Sequence, residues 1–250
     1  MDFSTDRPFR LVNESGPSPI VIICDHASNR VPAEYRDLGL DRNALGRHIA
    51  WDIGAAAVSE LLAARFGAPA ILAGMSRLLI DCNRGFEDPS LVPATSDGTE
   101  VPGNQGLSQT ERQARWERWH QPYHQAIRDA VERKLNAGQQ PIVLSIHSMT
   151  PVMRGIARPW QITVCWQEDQ RLSAPMLAAL RSQAGIVVGD NEPYDLDVRE
   201  DYSVPAHAMR RGLKHLQIEF RQDEVSDAAG QQRWAELFGD CLERVLEKDI

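Results

Sequence analysis

Two continuous apolar runs that each stop at a histidine organise the chain. In Pro141 to Thr150, PIVLSIHSMT, the apolar residues Ile142, Val143, Leu144 and Ile146 are interrupted only by Ser145. This is the pattern of a strand buried on both faces of a mainly parallel sheet. Ser148, Met149, Thr150 and Pro151 follow His147 and close the run, so the imidazole is expected at the strand's carboxyl end. The run PIVIIC from Pro19 behaves the same way, terminating in Asp25 and His26. Ligands of open α/β sheets bind at that edge.

Between these runs the periodicity changes to that of helices. Asp41 or Asn43 can cap a helix running to Phe66, with Leu45, Ile49, Ile53, Ala56, Ala57 and Leu61 as its core stripe and Gly67 as its stop. On it His48 and Asp52, four apart, share a face. Two short apolar runs follow, Ala70 to Leu72 and Leu78 to Ile80, and then a long polar loop over 85–107. Ser108 and Glu111 form a capping box for a helix reaching Asn136. Beyond the His147 strand come a strand over Gln161 to Cys165, a helix over Leu172 to Gln183 and a short strand over Ile186 to Val188. A second polar loop spans 189–203, and a short helix over Val204 to Arg211 is capped by Ser203. The alternating HLQIEF carries Glu219 near a strand end, and a helix from Ala228 to Lys248 closes the chain. With residues 1–18 read as an irregular lead-in, this alternation predicts a single three-layer αβα domain over residues 1–250 with a mostly parallel sheet.

Composition narrows the function. The formal charge of −8 argues against a nucleic-acid or anionic-membrane surface. The charged start MDFSTDRPFR has no apolar signal core, and no run approaches the ~18 apolar residues of a membrane span, so a cytoplasmic protein is expected. Cys24, Cys82, Cys165 and Cys241 form no close pair, which speaks against a zinc knuckle or a disulfide framework. No GxGxxG or GxxxxGK[ST] follows a strand, and no GxSxG elbow presents Ser148.

The strand ends therefore offer His26, His147 and Glu219, with Asn83 and Arg84 expected from the end of the Leu78 to Ile80 run. Two imidazoles, a carboxylate and an open position make the ligand set of a catalytic zinc, and a further carboxylate can take a proton from water. His120 and His124 have HxxxH spacing, but Gln121 stands where HExxH needs glutamate and Pro122 lies between them. His120 reads as a surface or packing residue beside Trp116 and Trp119, and His124 is left open as a pocket-lining residue.

Six ordered blocks, DHASNRVP at 25–32, HIAWDIGA at 48–55, SRLLIDCNR at 76–84, HSMTPVMRG at 147–155, GDNEPY at 189–194 and IEFRQD at 218–223, resemble the N-formylglutamate amidohydrolase family, whose fold is related to zinc carboxypeptidases. The resemblance implies one zinc per chain, held by His26 and His147, with Glu219 as general base and with Arg84, beside Asn83, clamping a substrate carboxylate or the developing oxyanion. Asn29 stands where the carboxypeptidase HxxE motif has glutamate, so the third ligand comes from elsewhere, Asp52 being preferred over His48 and Asn29. The implied substrate is a small N-acyl acidic amino acid, N-formyl-L-glutamate first, with other N-acyl-amino-acid hydrolysis or simple small-acid binding as alternatives. Arg154, Arg158 or Arg221 could add a second carboxylate contact, and Tyr194 and Tyr202 are candidate hydrogen-bonding partners of the substrate.

Overall fold

Seven strands form one mixed sheet in the computed structural model, which describes residues 6–247. They are β1 (Phe9–Val12), β2 (Ile20–Cys24), β3 (Ala70–Ala73), β4 (Ile142–Met149), β5 (Ile162–Cys165), β6 (Val188–Asp190) and β7 (Lys214–Arg221), in the spatial order β1-β3-β2-β4-β7-β5-β6. The central four, β3, β2, β4 and β7, run parallel; β1 is antiparallel to β3, and β5, itself parallel to β6, is antiparallel to β7. The helices are α1 (Arg42–Gly46), α2 (Ala55–Phe66), α3 (Gln109–Arg115), α4 (Gln121–Asn136), α5 (Ser173–Arg181), α6 (Ser203–His207) and α7 (Ala228–Glu247).

Alternation along the central strands sorts their side chains onto two cores. Ile22, Leu144, Ile146, Ile218 and Phe220 face α2, α5 and α7, where they meet Leu62, Met176, Trp234 and Phe238. Val21, Ile23 and Val143 face the other way, toward Tyr123, Ile127 and Val131 of α4. Each fully buried side chain of this kind contributes roughly 1.5–3 kcal/mol, and both faces of the central strands are covered, as the apolar runs of β2 and β4 require.

Several expected elements differ in ways that matter for the site. The lead-in is not wholly irregular, since Phe9–Val12 pairs with β3 as an edge strand. The long helix expected from Asp41 to Phe66 is two helices: α1 ends at Gly46 and α2 starts at Ala55 after Gly54, whose φ of 82° and whose contact with the Val225 carbonyl, 2.2 Å from an added Cβ, suit glycine only. His48 and Asp52 therefore lie in the intervening turn and not on a shared helical face. Leu78 to Ile80 is also turn, packed in a satellite core with Leu91, Val101 and Trp119, so Asn83 and Arg84 belong to a loop. The helix begun by the Ser108 and Glu111 capping box changes to a π-helical turn over Trp116–His120 before continuing as α4. β4 extends two residues past His147, and the sixth strand lies at Val188–Asp190. Ser203 opens α6 without capping it, because its hydroxyl donates to Asp25 Oδ1 at 2.6 Å. The expected last residue of the final helix, Lys248, lies outside the described residues.

Candidate metal centre and substrate cavity

The register of three parallel strands assembles the site. β2 pairs with β4 through Ile23 opposite Ser145, so His26, just beyond β2, comes alongside His147, with ring centroids 5.1 Å apart. β7 pairs with β4 through Glu219 opposite His147, which puts both side chains on one face. Asp52 is brought in by its turn. Its N–H donates to the His26 carbonyl at 2.9 Å, while the Ala50 carbonyl accepts from the Ser76 hydroxyl at 2.8 Å and the Arg77 N–H at 3.1 Å.

Asp52 Oδ2 lies 2.9 Å from His147 Nδ1 and 3.3 Å from His26 Nδ1. His26, Asp52 and His147 are buried, at 3%, 4% and 3% exposure, and their potential ligand atoms all lie within 4.8 Å of one another. This cluster could hold a metal ion. The two outer nitrogens are backed by carboxylates, His26 Nε2 by Asp81 Oδ1 at 2.7 Å and His147 Nε2 by Asp25 Oδ2 at 3.4 Å. Carboxylates behind metal-binding histidines fix the ring orientation and raise ligand basicity. Asp81 is itself held by Arg77, which donates from Nε at 3.0 Å and Nη2 at 2.7 Å, and Asp25 Oδ1 accepts from the Tyr123 and Ser203 hydroxyls. Two nitrogens and one oxygen in a buried acidic setting suit zinc with an open position.

The electrostatics are those of crowded charge out of water. Burial and the Arg77 charge oppose protonation of His26, yet Asp81 and Asp52 outweigh them and raise its pKa. His147 is raised further: burial works against it, but the Asp25 carboxylate facing Nε2 and the Asp52 carboxylate bonded to Nδ1 outweigh burial. Burial would lift the carboxyls of Asp52 and Asp81, but the two histidines hold Asp52 down and Arg77 with His26 holds Asp81 down. Glu219 goes the other way. At 9% exposure, burial first and the Asp52 charge second push it up to about 7, against the pull of His147, His26 and Arg77.

These groups open onto a cavity of about 470 Å³ whose lining includes Asn83, Arg84, Arg154, Arg158, Tyr194 and Gln217. Asn83 Nδ2 donates to Asp201 at 2.7 Å, and its Oδ1 accepts the Tyr202 and Ser203 N–H groups. Arg84 donates to Ser90 and to the Asn83 carbonyl and faces Asp201 at 3.6 Å. Tyr202 lies elsewhere: its ring packs against Trp116, His120 and His124 and lines a second, separate hollow. Of the alternative third ligands, His48 pairs with Asp97 at 3.3 Å and Asn29 donates to the Leu45 carbonyl, so neither joins the cluster. His120 is fully buried and stacked on Trp116, a packing residue and not a surface one, while His124 bonds His207 and the Cys82 carbonyl. Sequence reasoning missed Arg77, Asp81 and Asp25. The available signals were the Asp-His dipeptide at 25–26 and the four-residue spacing of Arg77 and Asp81.

The model of the N-formylglutamate amidohydrolase family matches residues 18–225 of this chain. Among solved structures, the chain is similar to a gene product of Agrobacterium tumefaciens, with 32% identity over 99% of this chain and 98% of that one and a TM-score of 0.94. It is also similar in fold to an N-formylglutamate amidohydrolase from Ralstonia eutropha, with 21% identity over 96% of this chain and 97% of that one and a TM-score of 0.63. No curated protein matches it. A family match spanning both histidine-bearing strands, the Asp52 turn and the Glu219 strand leads to one conclusion: the chain belongs to the N-formylglutamate amidohydrolase family.

Proposed function

We propose that the chain is a zinc-dependent amidohydrolase cleaving the C–N amide bond of an N-acyl acidic amino acid, with N-formyl-L-glutamate as the specific substrate. The observation that carries this reading is the buried His26, Asp52 and His147 cluster with Glu219 beside His147 on the neighbouring strand, all facing one cavity. Zinc held by His26 Nδ1, His147 Nδ1 and Asp52 would supply Lewis acidity and make a water more acidic near neutral pH.

The chain's own groups divide the remaining work. Asp81 bonds the outer nitrogen of His26 and the Asp25 carboxylate faces that of His147 at 3.4 Å, so that each ring presents Nδ1 to the centre. A carboxylate oxygen of Glu219 takes a proton from the attacking water as its oxygen adds to the acyl carbon, and returns that proton to the amine nitrogen when the C–N bond breaks. Arg84 and Asn83, on the cavity wall, provide donors for a substrate oxygen, and Arg154 and Tyr194 line the cavity's other parts. The substrate assignment is tested by comparing turnover of N-formyl-L-glutamate with that of acetylated and peptidyl amino acids. Preference for formylglutamate supports it, whereas preference for a peptide-linked carboxyl-terminal residue would make the chain a carboxypeptidase-like hydrolase.

A further inference from the structure

Four arginines line the cavity, and their surroundings differ. Arg77 is matched by Asp81 at 2.7 Å and Asp52 at 3.8 Å. Arg84 is matched by Asp201 at 3.6 Å and Asp88 at 3.9 Å. Arg154 is exposed at the rim. Arg158 is buried, at 8% exposure, yet makes no ion pair with any described residue. Its Nη2 donates to the Tyr194 hydroxyl at 2.6 Å, its Nη1 reaches the Thr150 carbonyl at 3.4 Å, and its guanidinium lies 4.8 Å from the centre of the Tyr194 ring. Every one of those partners is neutral. The backbone beneath is fixed: the Arg158 N–H donates to the Pro151 carbonyl at 2.8 Å, and its carbonyl accepts from Arg221 at 3.2 Å.

A guanidinium taken out of water without a counter-charge is unfavourable unless an anion completes it. The two bonds to neutral oxygens use two of its five N–H donors, leaving a planar fork that matches a carboxylate. We propose that Arg158, oriented by Tyr194, is the residue that recognises a free carboxylate of the ligand entering this cavity, and so restricts the site to acids over their neutral amides. The proposal rests on the cavity being the substrate site. It adds what that reading leaves open, namely which cation selects an acidic substrate.

The test uses binding as its readout. Glutarate and its neutral counterpart glutaramide are titrated calorimetrically into the full chain, wild type and Arg158→Met, with the zinc content of each preparation measured. Loss of a charge-assisted fork should weaken glutarate binding by about 10- to 100-fold, with zinc content and glutaramide binding unmoved. Arg158→Lys keeps the charge and stem but not the fork, so it should weaken glutarate by about 3- to 10-fold and serves if the methionine variant does not fold. Unchanged glutarate affinity in the variants, or equal loss of both ligands, overturns the proposal. The two readings fail separately: absence of amide hydrolysis with Arg158-dependent glutarate binding would remove the proposed activity alone. Hydrolysis alongside glutarate binding indifferent to Arg158 would remove this assignment alone.

Discussion

Asp81 carries more of the site than its place behind His26 suggests, and its conversion to asparagine gives the most informative single perturbation. One carboxylate oxygen accepts from His26 Nε2 at 2.7 Å and from the Asn83 N–H at 2.9 Å, and the other takes two bonds from Arg77. An asparagine has one acceptor oxygen in place of two, so its amide nitrogen must face either His26 Nε2–H or the Arg77 fork. Breaking one side of a buried ion pair typically costs about 3–5 kcal/mol, because the other charge is left uncompensated. Arg77 keeps 28% of its side chain in solvent and the Asp52 carboxylate 3.8 Å away, so the expected loss falls at or below the lower end, about 2–3 kcal/mol. The effect on metal is separate. With His26 no longer backed by an anion, zinc affinity should fall by about 10- to 100-fold, short of the loss expected from removing a ligand. Urea unfolding of the metal-free protein reads the first quantity, and competition against a chromophoric zinc chelator reads the second. Wild-type zinc affinity in Asp81→Asn would refute the argument that this carboxylate tunes a metal ligand, whatever happened to stability.

Other outcomes follow from the same geometry. Glu219→Gln keeps the shape of the side chain but removes its basicity, so it should retain zinc and lose at least about 10²-fold in turnover; near wild-type hydrolysis with zinc bound would assign the base to another residue. Asp52→Ala should lose tight metal binding, whereas His48→Ala, whose partner is Asp97, should keep it, and metal analysis of the two proteins would expose the reverse pattern. The pKa values of His26 and His147 are raised above the ordinary 6.5, so the protonated histidine–aspartate pairs of the metal-free protein stabilise it fully below that value and lose this contribution as pH rises through the raised values. Zinc competes with those protons. Its affinity should therefore climb from pH 6 to 8, with release of about two protons per metal at the acid end; calorimetry in buffers of different ionisation enthalpy would contradict this if uptake proved proton-independent.

Much of this site was legible because two strands announce themselves by nearly continuous apolar runs that lead to a histidine. His26 and His147 needed only the rule that parallel strands present their carboxyl ends together, and Glu219 needed only the alternation of HLQIEF. What the pattern hid was tertiary. The break before α2 depends on Gly54 meeting the Val225 carbonyl from a distant segment, and a periodic reading runs straight through it. Leu78 to Ile80 looks like a strand because a short apolar run buried under a loop has the same composition. Only the family resemblance points to Asp52 from the sequence, because the turn that holds it at the centre is built from contacts with His26, Ser76 and Arg77. Tyr202 shares a loop with cavity residues, but while its own N–H and the next donate to Asn83 Oδ1, its ring is turned toward Trp116 and His120.

Whether a zinc ion held by His26, Asp52 and His147 serves amide hydrolysis is decided by formate release from N-formyl-L-glutamate on protein of known metal content. Protein purified without chelator should carry about one zinc per chain, lose its turnover when the metal is stripped, and regain it on adding zinc. A protein that carries its zinc and releases no formate would contradict the proposed reaction, and one that releases formate at the same rate after complete removal of metal would contradict the proposed centre.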